Sequence, residues 1–142
     1  MPACTFFGHR ECPQSVVPKL RTALTDLIVH HDVNTFYVGN QGCFDAYVKA
    51  ELRRLAIIYP QIQYAVVLAY MPREKICDED DCDTMLPEGI ESVHPRYAIS
   101  WRNNWMLHQS DYVVSYITHQ WGGAAQYVKK AKKQNKILIE LS

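Results

Sequence analysis

Short apolar runs that do not alternate with polar residues recur along this chain, and longer segments with helical periodicity separate them. Residues 4–7, 35–38, 64–69, 111–116 and 137–141 are runs of this kind, rich in aromatic and β-branched side chains. A strand buried on one face alternates apolar with polar, whereas one buried on both faces has no polar side to show. Between these runs, Val17, Leu20, Leu24, Leu27 and Ile28 recur at three- and four-residue steps, as do Phe44, Tyr47, Val48, Leu52 and Leu55 ahead of Pro60. Residues 96–109 read as a further helix carrying Tyr97, Trp101, Trp105 and Leu107, and another runs to Lys133. Ser15 is placed to cap the first helix. Helices between doubly buried strands demand crossover connections. The expected fold class is therefore α/β, a Rossmann-like three-layer sandwich with a mostly parallel five-stranded sheet.

A chain of 142 residues, 48% hydrophobic, suits one compact domain over residues 1–142. Fifteen basic residues balance fifteen acidic ones, so no global field steers the protein to a polyanion, and nucleic acid is not the expected partner. No apolar run approaches the ~20 residues of a membrane span, and the opening Met1-Pro2-Ala3-Cys4 lacks the charge and apolar core of a secretory leader. Cytoplasmic localisation is the expectation, with no membrane partner. The five cysteines, at 4, 12, 43, 77 and 82, are odd in number and scattered, which fits reduced thiols. A homo-oligomer is compatible with the sequence, which leaves the oligomeric state open.

Three of the expected strands run directly into polar loops that carry glycine, each followed by a helix: Gly8-His9-Arg10, Gly39-Asn40-Gln41-Gly42 and Trp121-Gly122-Gly123. A helix N-terminus presents unpaired N–H groups reinforced by the macrodipole, and glycine lets the backbone approach a ligand, so an anion such as phosphate is the natural guest. In the first loop, the planar fork of Arg10 matches phosphate geometry, while His9 taken alone reads as a turn residue. The Gly39 loop adds the amides of Asn40 and Gln41, suited to ribose hydroxyls or a base edge, with Asp45 one turn into the next helix. In the third, paired Gly122 and Gly123 open a helix, where two N–H groups converge on one anion. Arg102 and Asn103 follow Trp101 on the helix before the fourth strand. They read either as a further clamp on phosphate or sugar or, if Trp105 is core, as an arginine whose head reaches solvent.

Residues 70–95 form a long irregular stretch with the acidic run Asp78-Glu79-Asp80-Asp81, and loops of that length serve as lids or binding elements. Glu88 and Glu91 lie in it as weak candidates for a general acid or base, with a solvated surface as the stronger reading. Cys77, Cys82 and His94 do not form a paired-cysteine metal framework, so no metal site is expected, and no cofactor either. The chain has no Gly-x-Ser-x-Gly, Walker or His-Glu-x-x-His sequence.

The run Thr5-Phe6-Phe7-Gly8-His9-Arg10, the pair Arg102-Asn103 and the late Trp121-Gly122-Gly123 resemble the SLOG superfamily over nearly the whole chain. That group of Rossmann-like domains includes the lysine decarboxylase-like phosphoribohydrolases and the DNA-processing protein A fold. The similarity is greatest to small bacterial single-domain members. The resemblance implies a nucleotide or nucleotide-derived ligand over the carboxyl ends of the strands. The phosphoribohydrolases carry a Gly-Gly-x-Gly-Thr-x-x-Glu motif and a catalytic arginine on the preceding helix. Gly122 and Gly123 match its first positions and Arg102 matches the arginine, but Ala125, Gln126 and Lys129 replace the third glycine, the threonine and the catalytic glutamate. An ammonium opposes the positive charge that develops when an N-glycosidic bond breaks. The leading expectation is thus nucleotide binding or sensing, ahead of a nucleotide N-glycosidic hydrolase using Glu88, Glu91 or Arg102, and of a partner-binding module. The expected ligand residues are Gly8, His9, Arg10, Gly39, Asn40, Gln41, Arg102, Asn103, Trp121, Gly122 and Gly123.

Overall fold

The structure, a computed structural model, describes residues 2–69 and 84–141. Strand β1 (Ala3–Gly8) leads to helix α1 (Val16–His30), β2 (Thr35–Val38) to α2 (Gly42–Ile58), and β3 (Gln63–Val67) precedes the short β4 (Thr84–Met85). Helix α3 (Ala98–Gln109), β5 (Tyr112–Tyr116), α4 (Gly123–Lys133) and β6 (Ile137–Glu140) complete the order. The sheet runs β4-β3-β2-β1-β5-β6, with every pairing parallel. Chain order moves outward from β1 to β2 and β3, then returns to β5 on the other side of β1. A crevice opens at the carboxyl ends of the strands where the order reverses.

The sheet has six strands rather than the expected five. The addition is β4, two residues inside the stretch read as irregular, paired as Val66↔Thr84 and Val67↔Met85 and extended by a bond from Leu68 N to the Met85 carbonyl of 2.8 Å. A strand of two residues has no periodicity of its own; the edge of β3 supplies its pairing.

Adjacent residues on the strands enter different cores, which is why the runs read as continuously apolar. Phe6, Val66 and Val114 join Leu20, Leu24, Phe44, Leu52 and Leu55 beneath α1 and α2. Phe7, Val67 and Val113 face Met106, Leu107, Tyr127 and Val128 of α3 and α4. Phe7 stacks on Tyr127 at 5.2 Å, and Tyr37 meets the edge of Trp105 at 5.2 Å. Trp105 packs against this second core, while Trp101 is exposed.

Two helix starts differ from expectation. Ser15 makes no side-chain capping bond; the amides of Val16 and Val17 donate instead to the carbonyls of Pro13 and Gln14 at 3.0 Å each. Helix α3 begins at Ala98, because Pro95 opens a separate 3₁₀ turn, Pro95–Tyr97, capped by His94 Nδ1 accepting from Arg96 N at 3.1 Å.

Helices α1 and α2 are joined by charge. Glu51, buried on α2, accepts from Arg21 of α1 at 2.7 and 3.2 Å and from Arg54 at 3.2 Å. Burial alone would raise the carboxyl pKa, but the bonds from both guanidinium groups outweigh it and hold the group below its ordinary value. A depressed folded pKa gives stability that is complete above the unfolded value of 4.5 and is lost as pH falls through the folded one. We predict that Glu51→Ala destabilises by about 2 kcal/mol at pH 7. The deficit relative to the parent protein should shrink below pH 4.5 in thermal melts. A pH-independent deficit would mean that packing, not the ion pair, is what the substitution removes.

Candidate functional site

A cleft of about 590 Å³ opens at the carboxyl end of β1 and is lined from three loops and α3. Its size falls in the range of small-molecule sites, ~300–1,000 Å³. Gly8, His9, Arg10 and Glu11 come from the loop after β1, Gly39, Gln41 and Asp45 from the β2–α2 junction, and Thr118, His119, Gly122 and Gly123 from the β5–α4 junction. Arg102, Asn103 and Met106 enter from α3. The three glycine loops, far apart in sequence, thus border one space.

The floor of the cleft is a buried charge arrangement. Asp45 accepts from the backbone N–H of Gln41 at 2.9 Å, so its carboxyl reaches back over the start of α2. Arg102 is only 2% exposed and does not reach for solvent: Nη1 donates to the Val67 carbonyl at 2.9 Å and Nε to Asn103 Oδ1 at 2.8 Å. Burial pushes the Asp45 carboxyl up to about 6, while the Gln41 amide and the charges of Arg102 and Lys49 partly offset it. Gly39 makes room for both groups. A Cβ there would sit 2.9 Å from Asp45 Oδ2 and 3.1 Å from Arg102 Nη1.

Arg10 is exposed where it lines the cleft, its Nη2 donating to Gln41 Oε1 at 3.2 Å. Its backbone is fixed: the Arg10 carbonyl accepts from Cys43 N at 2.8 Å, and Cys43 Sγ donates to the Cys12 carbonyl at 3.7 Å. Burial, then Cys43 and Asp45, push the Cys12 thiol up to about 12, which favours the protonated form. The third loop ends at Gly122, whose φ of +96° suits glycine and turns the chain into α4. A Cβ on Gly123 would meet nothing within 4 Å, so the first turn of α4 borders open space.

Of the expected ligand residues, Gly8, His9, Arg10, Gly39, Gln41, Arg102, Asn103, Gly122 and Gly123 line the cleft. Asn40 does not; its Oδ1 accepts from Lys49 Nζ at 3.2 Å. Trp121 stands at the rim, 70% exposed, against His119. Glu88 and Glu91 are exposed and outside the cleft, as is Lys129. The carboxyl groups that do line it are Asp45 and Glu11. Neither carries a site signal in sequence, since an acid near a helix start reads as a cap. None of residues 84–95 lines the cleft, and the rest of the expected lid, with Cys77, Cys82 and the acidic run, lies outside the described residues.

His9 takes a defined role in place of a turn filler. Its Nε2 accepts from Thr118 N at 2.9 Å, and its ring stacks on His119 with centroids 3.7 Å apart. Burial lowers the His9 pKa, and the neighbouring His119 lowers it further, which favours the neutral acceptor that this bond requires.

No protein-family model and no curated protein matches this chain. Solved structures do. DNA processing protein A from Streptococcus pneumoniae superposes with a TM-score of 0.70 at 12% identity, covering 99% of this chain and 50% of that one. DNA processing protein A from Helicobacter pylori, a structure described for its single-stranded DNA binding mode, gives 0.65 at 13% identity over 98% of this chain and 64% of that one. This chain therefore has the Rossmann-like fold of DNA processing protein A, the SLOG fold, and spans between half and two thirds of those chains. Among the described residues, no helix is long and apolar enough to cross a membrane.

Two outcomes test the floor of the cleft. Gly39→Ala should destabilise by ~1–3 kcal/mol, because the added methyl displaces two side chains with little room to move; an unchanged melting temperature would show that they yield freely. Asp45 has a raised folded pKa, about 6 against 3.8, so its proton is retained on folding and the parent protein loses stability as pH rises through that window. Asp45→Asn removes this loss. The melting temperature of the parent minus that of the variant should fall between pH 4 and pH 7, and a constant difference would mean that Asp45 titrates normally.

Proposed function

We propose that the cleft binds a free nucleotide or nucleotide-derived molecule through its phosphate. The carrying observation is the convergence on one open space of the Arg10 guanidinium, the buried charge of Arg102 and the glycine-opened N-terminus of α4. Phosphate suits the Arg10 fork and the free amides of the first helical turn. Gln41 and Asn103, whose amides already orient the two arginines, are placed to meet sugar hydroxyls. Asp45 sets a limit: an anion bound beside it raises its pKa further, so binding takes up a proton and weakens as pH rises above about 6.

A single strand of DNA is a second reading, supported by the binding mode described for the Helicobacter pylori neighbour. Fifteen acidic residues against fifteen basic ones weigh against it, since strand binding draws on net positive charge. A hydrolase is a third, and it would now run through Asp45, the buried carboxyl in the cleft whose pKa is raised to about 6. That value suits a general acid delivering a proton to a departing base.

Thermal shift separates these readings. Nucleoside monophosphates, ADP-ribose, NAD and cyclic nucleotides should include one that stabilises saturably, by about 2.7 kcal/mol at 100 times its dissociation constant. Arg10→Ala should weaken that ligand by roughly tenfold or more with little change in melting temperature, because the side chain is exposed. No stabilisation by any nucleotide would overturn the reading in favour of a partner-binding module. Stabilisation by an oligonucleotide but by no mononucleotide would favour the strand. Release of free base from a bound nucleotide, abolished in Asp45→Asn, would establish the hydrolase.

A further inference from the structure

Three rings form a column beside the cleft, two of which, His9 and His119, line it. His119 stacks on His9 with centroids 3.7 Å apart and planes 15° apart, and Trp121 stacks on His119 at 3.9 Å and 19°. The column is anchored below, where His9 Nε2 accepts from Thr118 N at 2.9 Å and the His9 ring meets the edge of Tyr116. Its upper end is the Trp121 indole, 70% exposed. Trp121 is thus held by a ring stack and not by the core, and among the described residues its other face has no ring partner. Within the stack, His119 Nδ1 is buried without a hydrogen-bond partner among the described residues. The unpaired buried nitrogen costs stability in the unliganded protein.

We infer that Trp121 is a stacking platform for the aromatic base of the nucleotide whose phosphate occupies the mouth of α4. The inference rests on the nucleotide reading and adds the part of the ligand that gives it affinity. Trp121 stands two residues before Gly123, a span of at most roughly 7 Å, which one nucleotide bridges from phosphate to base. The column extends at its own spacing: a base laid on the indole is a fourth ring. A purine offers the larger face and binds tighter than a pyrimidine. A free nucleotide suits the site better than a strand because the Arg10 fork and the α4 amides serve one phosphate beside the platform.

Calorimetry on the full chain with ribose 5-phosphate, AMP, dTMP and a dT oligonucleotide tests this, with Trp121→Ala and Trp121→Phe compared to the parent. Base stacking on an aromatic side chain corresponds to about 5- to 150-fold in affinity. AMP should therefore bind the parent at least about fivefold tighter than ribose 5-phosphate. Trp121→Ala should erase that preference while leaving ribose 5-phosphate affinity unchanged, and Trp121→Phe should keep most of it. An exposed side chain makes loss of the fold in these variants no obstacle, and thermal melts verify that. Ribose 5-phosphate binding as tightly as AMP would overturn the platform and leave the phosphate site standing. Equal loss of both ligands in Trp121→Ala would also overturn it, showing that the ring holds the loop. Failure of every ligand to bind the parent would overturn the nucleotide reading and the platform together. Binding of the oligonucleotide far more tightly than dTMP, with Trp121→Ala weakening both, would assign the platform to a strand and overturn the free-nucleotide form.

Discussion

Strand β1 is paired on both sides and buried on both faces, and the cleft exists because of it. Its neighbours β2 and β5 hold it in the centre of the sheet, with Cys4↔Phe36 on one side and Cys4↔Tyr112 on the other. Phe6 enters one core and Phe7 the other. The strand has no freedom to shift along its axis, since a slip of one residue would exchange those two faces. Gly8 to Glu11 therefore emerge at a fixed height between the β2 and β5 loops. Every other element of the site is measured from that point.

The buried charges are the second constraint. A carboxyl and a guanidinium held under the cleft are costly to desolvate, and the structure offsets that with bonds to the backbone, Gln41 N for Asp45 and the Val67 carbonyl for Arg102. The first holds the β2–α2 junction to α2, and the second ties α3 to β3 beneath the cleft. A positive group fixed by the scaffold loses little freedom when an anion arrives. In the proposed reading Arg10 supplies the exposed cationic contact and Arg102 a buried one.

Much of the fold was legible because burial leaves a pattern. Doubly buried strands gave continuous apolar runs, and α1 and α2 showed their inward faces at three- and four-residue steps. Three glycine loops marked the strand ends where ligands bind in such sheets. What local pattern cannot carry stayed hidden. Strand β4 depends on the edge of β3, and the start of α3 on a competition between Pro95's turn and the helix. Glu88 and Glu91 resembled catalytic candidates by type alone, and the surface reading given beside them matches where they lie. Asp45 was placed by sequence one turn into a helix; the tertiary fold buries it, and that burial raises its pKa even though the charge of Arg102 pulls the other way.

The sequence by itself determined the α/β class, the alternation of strands with helices, and the glycine-bearing loops, because these follow from burial periodicity and backbone freedom within a few residues. Tertiary structure alone decided that the three loops share one space, that Arg102 turns inward, and that His9 and His119 stack although 110 positions separate them. Strand order brings such residues together, and that order is a property of how the whole sheet closes its two cores. No local run of side chains encodes it.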